Sequence, residues 1–392
     1  MRGYKIRLCK NKDLYGLSWD DIANLINKET GENLGRDVFR KFWRYYNEGY
    51  EDALKDNLDN DILLQEYEKK KIEFEKEKVK TQTEKLELRQ WIRESARVEL
   101  FEEKLSDYLK ALPVIKVPEY KLNKNTNESR GVICGIADSH YGKEILIRGL
   151  KNEILNEYNP EIFEQRMWML LSKYVDIFEK ENIKEVYFYN LGDDIDGILR
   201  VSQLMSLKYG IIESTMKFAE FMVIFLNELS KYVFIKYYST MSNHSEIRPL
   251  NSKSGEFFKE NVELIVNWHL KHRLKDNPNI EINECNNVVN LNRIAGLSVL
   301  NLHGQNERDL GQSVKDYSLL YGEKIDLLLV GHLHYNNSKT VGMSDVGNID
   351  VVQFPSICGI DEFSMNLKRA ACPGGKLIII DGVDKIVYDL VL

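Results

Sequence analysis

The chain is poor in cysteine, and no two of its five cysteines have the spacing of a metal-binding or redox pair. This argues against a disulfide framework and a zinc ribbon, so we expect free thiols in a reducing compartment. No apolar run approaches the roughly 18 residues that a membrane-spanning helix needs. The first residues also lack the apolar segment of a secretory signal. We therefore expect a cytoplasmic protein without a membrane partner.

The chain also lacks an excess of positive charge. Its formal net charge is −7, and charged residues make up 29% of the sequence. This excludes a uniformly basic nucleic-acid coat but leaves room for a local basic patch. The length of 392 residues is sufficient for two or three domains.

Glycine and proline are absent from residues 61–112, which are rich in glutamate, lysine, leucine and arginine. This composition predicts one or two long charged helices. Apolar residues at seven-residue spacing predict a seam against a partner helix: Trp91, Val98, Leu105 and Leu112, with Leu88 and Leu109 nearby. A homo-oligomer through this helix is one expectation, and a solvated strut between domains is the alternative. Prolines end the helix, and residues 113–130 are predicted to be a linker.

Residues 1–60 have the pattern of a small helical unit. Ser18 is a predicted helix N-cap, and a glycine-containing turn separates its helix from a second helix at 36–46. Helix, turn and helix is the layout of a helix-turn-helix module. The second helix is expected to pack through Val38, Phe39, Phe42 and Trp43. Its candidate DNA-contacting residues are Arg36, Arg40 and Arg44, which line one face, and Lys41 beside them. The alternative is a three-helix packing module whose arginines are only solvated.

The remaining residues, 131–392, alternate short apolar runs with amphipathic helical patterns. Such alternation predicts an α/β domain with layered sheets. The predicted buried strands are Val132–Ala137, Glu185–Leu191, Val233–Thr240, Leu297–Leu302 and Ile325–Val330. The predicted helices are Pro160–Glu181, Ser214–Ser230 and Gly255–Leu274. Strand-like segments at the end of the chain, Val351–Phe354, Lys376–Asp381 and Ile386–Leu392, fit a second sheet.

Metal-binding residue types follow each of the five predicted core strands. In chain order the sequences are Asp138-Ser139-His140, Gly192-Asp193-Asp194-Ile195-Asp196, Ser242-Asn243-His244, His303-Gly304 and Gly331-His332-Leu333-His334. Five of the seven histidines in the chain lie at these positions. Sites in open α/β sheets form beyond the carboxyl ends of the strands. Each segment alone is weak, but five segments in this order predict one metal site.

This ordered set resembles the calcineurin-like metallophosphoesterase superfamily, whose pattern is DxH, GDxxD, GNH[DE], H and GHxH. The resemblance covers about residues 131–392 and implies a layered β-sandwich flanked by helices. The third segment departs from the pattern, because Ser242 replaces the usual glycine and Ser245 replaces the usual acid. Loss of the acid raises the question of what orients His244.

The resemblance implies a role for each matching residue. One metal would be held by Asp138, His140, Asp193 and His334, and a second by Asp193, Asn243, His303 and His332, with Asp193 bridging the two. His244 would lie near the leaving oxygen, and Asp196 would orient a ligand. Two divalent ions of this kind can bind a shared hydroxide and clamp a phosphoryl group. The mixture of carboxylate, amide and imidazole suits manganese, iron or zinc better than calcium. The resemblance to nucleases that commonly use manganese makes manganese the first expectation, with magnesium, iron or zinc as alternatives.

Five other residues near these segments have weaker predictions. Asp194 is expected to be solvated. His269 and His272 are expected to form an exposed pair on a helix, and contact with a substrate backbone is the alternative. Tyr141 is expected either to line the cleft or to pack in the core. Arg248 lies on a loop that is expected to border the site, where it would either contact a phosphate or remain a surface arginine.

The superfamily acts on many phosphoesters, so its fold does not select the substrate. The helix-turn-helix-like unit, the long helix and the sequence around the motifs favour DNA. Around Asp138 and His244 the sequence resembles the DNA-repair exonuclease-like branch carried by bacteriophages. We therefore expect a metal-dependent DNA phosphodiesterase. The alternatives are an enzyme acting on small nucleotides or phosphoproteins, and a DNA-binding or scaffolding protein with a vestigial metal site.

Overall fold

The computed structural model describes residues 2–55, 60–123, 129–197, 206–247, 259–284, 288–368 and 370–392, and within residues 53–109 only some of the side chains. The chain divides into two compact units, residues 1–103 and 104–392. Among the described residues, no helix is both long and apolar enough to cross a membrane.

The first unit contains four helices within its described part: α1 Arg2–Lys10, α2 Trp19–Thr30, α3 Arg36–Lys55 and most of α4 Asn60–Ala111. A capping box starts α2, since the Ser18 side chain accepts from the Asp21 amide and the Asp21 carboxylate accepts from the Ser18 amide. A small core joins α1, α2 and α3 through Cys9, Ile22, Ala23, Ile26 and Phe39. The prediction for Val38 was wrong, because this side chain is 48% exposed while the adjacent Phe39 occupies the core face.

The long charged segment forms one helix, α4, of 52 residues. The sequence predicted one or two long helices here, and the structure has one. The predicted seam stays a prediction, because the side chains of Trp91, Val98, Leu105 and Leu109 lie outside the described residues. Leu88, which was placed near that seam, is 56% exposed.

The second unit is a mixed α/β domain. Its strands are β1 Arg130–Ile136, β2 Ile145–Arg148, β3 Ile154–Tyr158, β4 Glu185–Asn190, β5 Phe234–Ser239, β6 Ile280–Ile282, β7 Val289–Ile294, β8 Leu297–Leu302, β9 Leu327–Val330, β10 Asn337–Ser344, β11 Gly347–Gln353, β12 Gly374–Asp381 and β13 Asp384–Val391. Its helices are α5 Pro160–Lys180, α6 Ile211–Leu229, α7 Val262–Arg273, α8 Leu310–Tyr321 and α9 Glu362–Asn366.

These strands form two large sheets and one small one. The first sheet has the order β13-β12-β1-β4-β5-β6, in which β1, β4, β5 and β6 are parallel. The second has the order β10-β11-β9-β8-β7, with β11, β9 and β8 parallel. Strands β2 and β3 pair with each other. All five predicted core strands are confirmed, three in the first sheet and two in the second.

The two large sheets pack face to face. Ile133 and Tyr189 of the first sheet share a buried cluster with Val299 and Leu329 of the second. A larger cluster lies between the first sheet and helices α5, α6 and α7. A smaller one joins the second sheet to Val314 of α8. The expectation of layered sheets flanked by helices is therefore confirmed for this unit.

Part of the segment predicted as a linker is bonded to the α/β domain. The Asn227 side chain donates to the Lys116 carbonyl at 3.1 Å. The Asn279 side chain accepts from the Leu122 amide at 2.8 Å. Residues 113–123 are thus held against the domain, whereas residues 124–128 lie outside the described part of the chain.

Candidate metal centre

The candidate ligands follow strands of both sheets. β1, β4 and β5 deliver Asp138, His140, Asp193 and the Asn243 segment from the first sheet, and β8 and β9 deliver His303, His332 and His334 from the second. The structure brings these strand ends together at one edge of the sandwich. Gly192 is required at this edge, because its φ is +89° and a Cβ would lie 2.7 Å from the Ser242 Cβ.

A first group of donors comprises Asp138, His140 and His334, whose candidate ligand atoms all lie within 4.8 Å of one another. The Nε2 atoms of His140 and His334 are 3.1 Å apart. The His334 Nε2 is 3.7 Å from the Asp138 Oδ1. All three side chains are at most 4% exposed, so bulk water does not solvate them.

A second group comprises Asp193, His303 and His332, again with candidate ligand atoms within 4.8 Å of one another. The His303 Nε2 lies 3.0 Å from the Asp193 Oδ2 and 3.2 Å from the His332 Nδ1. The His303 Nδ1 is bonded to the Leu191 carbonyl at 2.7 Å, which fixes the ring and leaves Nε2 facing the group.

Asp193 links the two groups. Its Oδ2 is 3.8 Å from the His140 Nε2 of the first group and 3.0 Å from the His303 Nε2 of the second. Asp138 also approaches the second group, since its Oδ1 is 3.9 Å from the His303 Nε2. The position of Asp193 suits a bridging carboxylate.

The backbone at these residues adopts a conformation that non-glycine residues rarely use. Positive φ angles of 43° to 64° occur at five of the candidate ligands, namely Asp138, His140, Asp193, His332 and His334. Each such residue costs about 1–3 kcal/mol and persists only where the surroundings enforce it. Backbone bonds do so here: the His140 amide donates to the Asp193 carbonyl at 2.8 Å, and the His332 amide donates to the Asp138 Oδ1 at 3.0 Å.

The donor set fits a divalent cation. Two pairs of imidazole nitrogens face each other at 3.1 and 3.2 Å, and facing lone pairs repel unless a proton or a cation lies between them. The Asp138 Oδ2 is buried and has no hydrogen-bond partner among the described residues. A buried carboxylate oxygen normally has such a partner, so a cation would satisfy it.

Burial and neighbouring charges shift the protonation of this set. Burial raises the pKa of Asp138. Burial and the nearby His303 lower the pKa of His332 to about 3, which keeps its imidazole neutral. Burial alone would lower the pKa of His303, but the Asp193 carboxylate outweighs it and raises that pKa to about 9. A metal-free centre therefore retains protons that a cation would displace.

The third segment is anchored to the same carboxylate. The His244 amide donates to the Asp193 Oδ1 at 3.0 Å, and the Ser242 hydroxyl accepts from the Asp193 amide at 2.7 Å. Asn243 lies between these two residues, with a partly buried side chain. Asp196 orients His244, since its Oδ1 is 2.8 Å from the His244 Nδ1, and it also lies 3.2 Å from the His140 Nδ1. Asp196 therefore holds the His244 ring in the absence of an acid at position 245.

Comparison with known proteins identifies the family. The family model of the YonJ N-terminal domain matches residues 1–58, and that of the YonJ coiled-coil domain matches residues 70–111. Over 399 residues the chain is 36% identical to the SPbeta prophage-derived uncharacterized protein YonJ of Bacillus subtilis (strain 168), covering 100% of this chain and 96% of that protein. The chain belongs to the YonJ family.

Solved structures give weaker similarities to this YonJ-family chain. An archaeal phosphodiesterase is 13% identical with a TM-score of 0.32, covering 66% of this chain and 99% of that chain. Zinc-complexed Vps29 from Entamoeba histolytica is 10% identical with a TM-score of 0.31, covering 66% and 91%. TM-scores this low do not support any inference about the function of this chain.

Four residues around this centre were not found from sequence. Asp361 lies 3.4 Å from the His334 Nδ1 and accepts from the Lys143 Nζ at 3.2 Å. Glu263 of α7 accepts from the Ser242 hydroxyl at 2.5 Å. Phe363 lies beside His332 and His334. Of these four residues, only Lys143 could have been suspected from the sequence, because it lies three residues after His140.

Two of the weaker predictions were wrong. Asp194 is not solvated: it is 1% exposed, accepts from the Asn190 side chain at 2.6 Å, and burial raises its pKa to about 7. His269 is not at the surface, since it is 3% exposed and bonded to Glu220. Tyr141 packs in the core against Phe163, and Arg248 lies outside the described residues.

The candidate DNA-contacting residues lie in the first unit. Arg36, Arg40, Lys41 and Arg44 are all exposed on α3. Arg36 pairs with Asp20 at 3.1 Å, and Arg44 lies 3.7 Å from Glu48. These local acids balance part of the positive charge. A DNA-contacting role for the four residues remains a prediction.

Proposed function

We propose that this protein is a metal-dependent phosphodiesterase that hydrolyses phosphodiester bonds in DNA. The observation that carries the proposal is the pair of buried donor groups at one edge of the sandwich, with Asp193 in contact with both. Paired carboxylates and imidazoles in this arrangement suit two divalent ions.

The residues divide into holders of the metals and groups that act on the substrate. Asp138, His140 and His334 would hold one ion, and Asn243, His303 and His332 the other, with Asp193 shared. When bound, such ions activate water and neutralise charge on the phosphoryl oxygens. Manganese is the proposed ion, with magnesium, iron or zinc as alternatives.

His244 is the proposed group at the leaving oxygen. Its Nδ1 is held by Asp196 at 2.8 Å, so its other nitrogen is available to the substrate. Its side chain is 18% exposed, whereas those of His140 and His334 are at most 3% exposed. A histidine that is fixed on one side and accessible on the other is suited to donate a proton or stabilise developing charge.

DNA is proposed as the substrate for three reasons. The motif sequences resemble phage exonuclease-like metallophosphoesterases, α3 presents four exposed basic side chains, and the curated relative is prophage-derived. A phage-encoded enzyme would work in the host cytoplasm, and α4 is the proposed oligomerisation helix. In this proposal residues 1–60 bind DNA, 61–112 form the helix, 113–130 connect, and 131–392 carry the chemistry.

One experiment distinguishes this proposal from two alternatives. An enzyme acting on small nucleotides or phosphoproteins would use the same centre without the basic surface of α3. A scaffolding protein with a vestigial centre would not hydrolyse any of the substrates. The retention of every candidate ligand argues against the latter, because drift would be expected to erase several of them.

The test is hydrolysis of labelled single-stranded DNA, labelled double-stranded DNA and a small phosphodiester with manganese, magnesium or zinc. We expect DNA cleavage with manganese and steep loss of DNA affinity as salt rises. Hydrolysis of the small diester alone would support the small-substrate alternative. Stoichiometric metal binding without hydrolysis of any substrate would contradict the enzymatic proposal.

A further inference from the structure

An exposed aromatic residue lies against the metal centre. The Phe363 ring centroid is 5.8 Å from the imidazole centroids of both His332 and His334. Phe363 belongs to none of the buried hydrophobic clusters of the described residues, and it is 42% exposed. Its ring is inclined at 49° and 71° to the two imidazoles, so neither stacks flat on it. Part of the ring therefore remains accessible beside the candidate ligands.

The backbone that carries this ring is held in place. Asp361 caps α9, since its carboxylate accepts from the Ser364 amide at 2.9 Å. The same carboxylate accepts from the Lys143 Nζ at 3.2 Å. Immediately before it, the Asn156 side chain donates to the Ile360 carbonyl at 2.7 Å. The position of Phe363 is thus set before any ligand arrives, which lowers the entropic cost of binding.

The chemistry beside the ring restricts what can bind there. Cations held by the donor groups would attract a phosphate, and the aromatic ring attracts a flat π-system. A nucleotide contains both groups, joined through one sugar. Aromatic side chains that stack bases next to a backbone-binding groove are a general device for single strands, and they tolerate any base. An aliphatic or saturated substrate would gain little from Phe363.

We propose that Phe363 forms a nucleobase-binding subsite, on which a base adjacent to the scissile phosphate stacks. This inference rests on the proposed function and specifies its substrate as a strand whose base is unpaired at the site. The competing interpretation is that Phe363 only covers His332 and His334. That interpretation predicts the same effect of a substitution on every substrate.

The test compares two single-stranded oligonucleotides of equal length, one of thymidine and one whose residues lack bases. Full-length protein with manganese is assayed as wild type, Phe363→Ala, Phe363→Leu and Phe363→Tyr. Met365→Ala is the matched control, because Met365 lies on the same short helix and is 45% exposed. Metal content and kcat and KM are measured for each variant.

We expect wild type to prefer the thymidine substrate. Phe363→Ala and Phe363→Leu should lower kcat/KM for it by about 10- to 100-fold, chiefly through KM. The abasic substrate should change by less than about twofold on the same argument. Phe363→Tyr and Met365→Ala should stay close to wild type on both.

Equal losses on both substrates, or loss of metal from Phe363→Ala, would overturn the base subsite and leave the proposed function intact. A leucine variant equal to wild type would overturn it as well, since the ring would then act only by apolar packing. A wild-type protein that hydrolyses a small phosphodiester but neither oligonucleotide would instead refute the proposed nuclease function, and the subsite with it.

Discussion

The strand ends of the α/β domain and helix α3 both carry charged side chains, but these side chains lie in opposite environments. At the strand ends, Asp138, Asp193 and His303 are at most 1% exposed and lie close to further donors. On α3, the basic side chains are exposed, and two of them have acidic neighbours. Burying ionisable groups is costly unless they are paired or bind a metal, whereas exposed charges cost almost nothing.

This difference determines how strongly each region indicates a function. The buried region also contains five non-glycine residues with positive φ. This backbone conformation lowers the stability of the fold, and it holds the donor side chains in one arrangement. A backbone conformation that costs stability indicates a functional site. The exposed region carries no comparable cost, and the same arginines would serve equally well for solubility. Substitutions in the buried region should therefore have larger effects than substitutions in the exposed one.

The largest effect is expected from the carboxylate shared by both donor groups. Asp193→Asn should reduce hydrolysis by on the order of a thousandfold, since ion binding supplies several kcal/mol of transition-state stabilisation. His332→Ala should act similarly. Circular dichroism should show that both variants keep the fold. Asp276→Asn, at an exposed position, is the matched control. Full activity of either ligand variant would show that the donor groups are not the catalytic site.

A second effect concerns stability without metal. Burial raises the pKa of Asp194 from 3.8 to about 7, so the folded protein keeps a proton that the unfolded chain releases above about pH 4. This group's contribution to stability is complete below that pH and declines as the pH rises towards 7, by at most about 1.4 kcal/mol per pH unit. In chelator, Asp194→Asn should flatten this decline, measured by urea unfolding, whereas Asp276→Asn should not. Identical pH profiles for wild type and Asp194→Asn would contradict the prediction.

The third effect tests a carboxylate behind a ligand. Asp361 lies 3.4 Å from the His334 Nδ1, and loss of such a partner typically lowers metal affinity by about 10- to 100-fold. Asp361→Asn keeps a side chain that can cap α9, so the helix should remain. Competitive metal titration would measure the change. Unchanged affinity would mean that Asp361 serves α9 and Lys143 only.

These results also show which parts of the structure the sequence could predict. Strands such as Ile325–Val330 were predictable because a short apolar run that ends at a glycine is typical of a buried strand. The candidate ligands could be proposed from sequence because each follows such a run closely. Asp361 and Glu263 were not, because each reaches the site from a helix that carries no motif. Their contacts depend on tertiary packing, which local patterns do not encode.

The same limit explains the short strands that were missed. Strands β2 and β3 are only four and five residues long, and their apolar runs, Ile145–Ile147 and Ile154–Leu155, are too short to predict a strand. Asp194 was misjudged because its polarity indicates a surface, while the loop after β4 places it inside next to Asn190. Local polarity fails as a guide wherever a functional site is buried.

The smallest effect is expected on α3. Changing Arg36, Arg40 and Arg44 together to glutamine should weaken DNA binding by a few-fold to about tenfold, because fewer phosphates are neutralised. The logarithmic salt dependence of binding should become shallower by about 0.9 for each phosphate that the protein no longer neutralises. Hydrolysis of a small phosphodiester should not change.

The control for this variant is Lys69, Lys70 and Lys71 changed together to glutamine. These side chains are exposed on α4 of the same unit, and the change in net charge is identical. If both triple variants alter the salt dependence equally, only general electrostatic attraction is involved and α3 is not a DNA-binding surface. A weakening confined to the arginine variant would assign DNA binding to α3, because charge alone could not explain it.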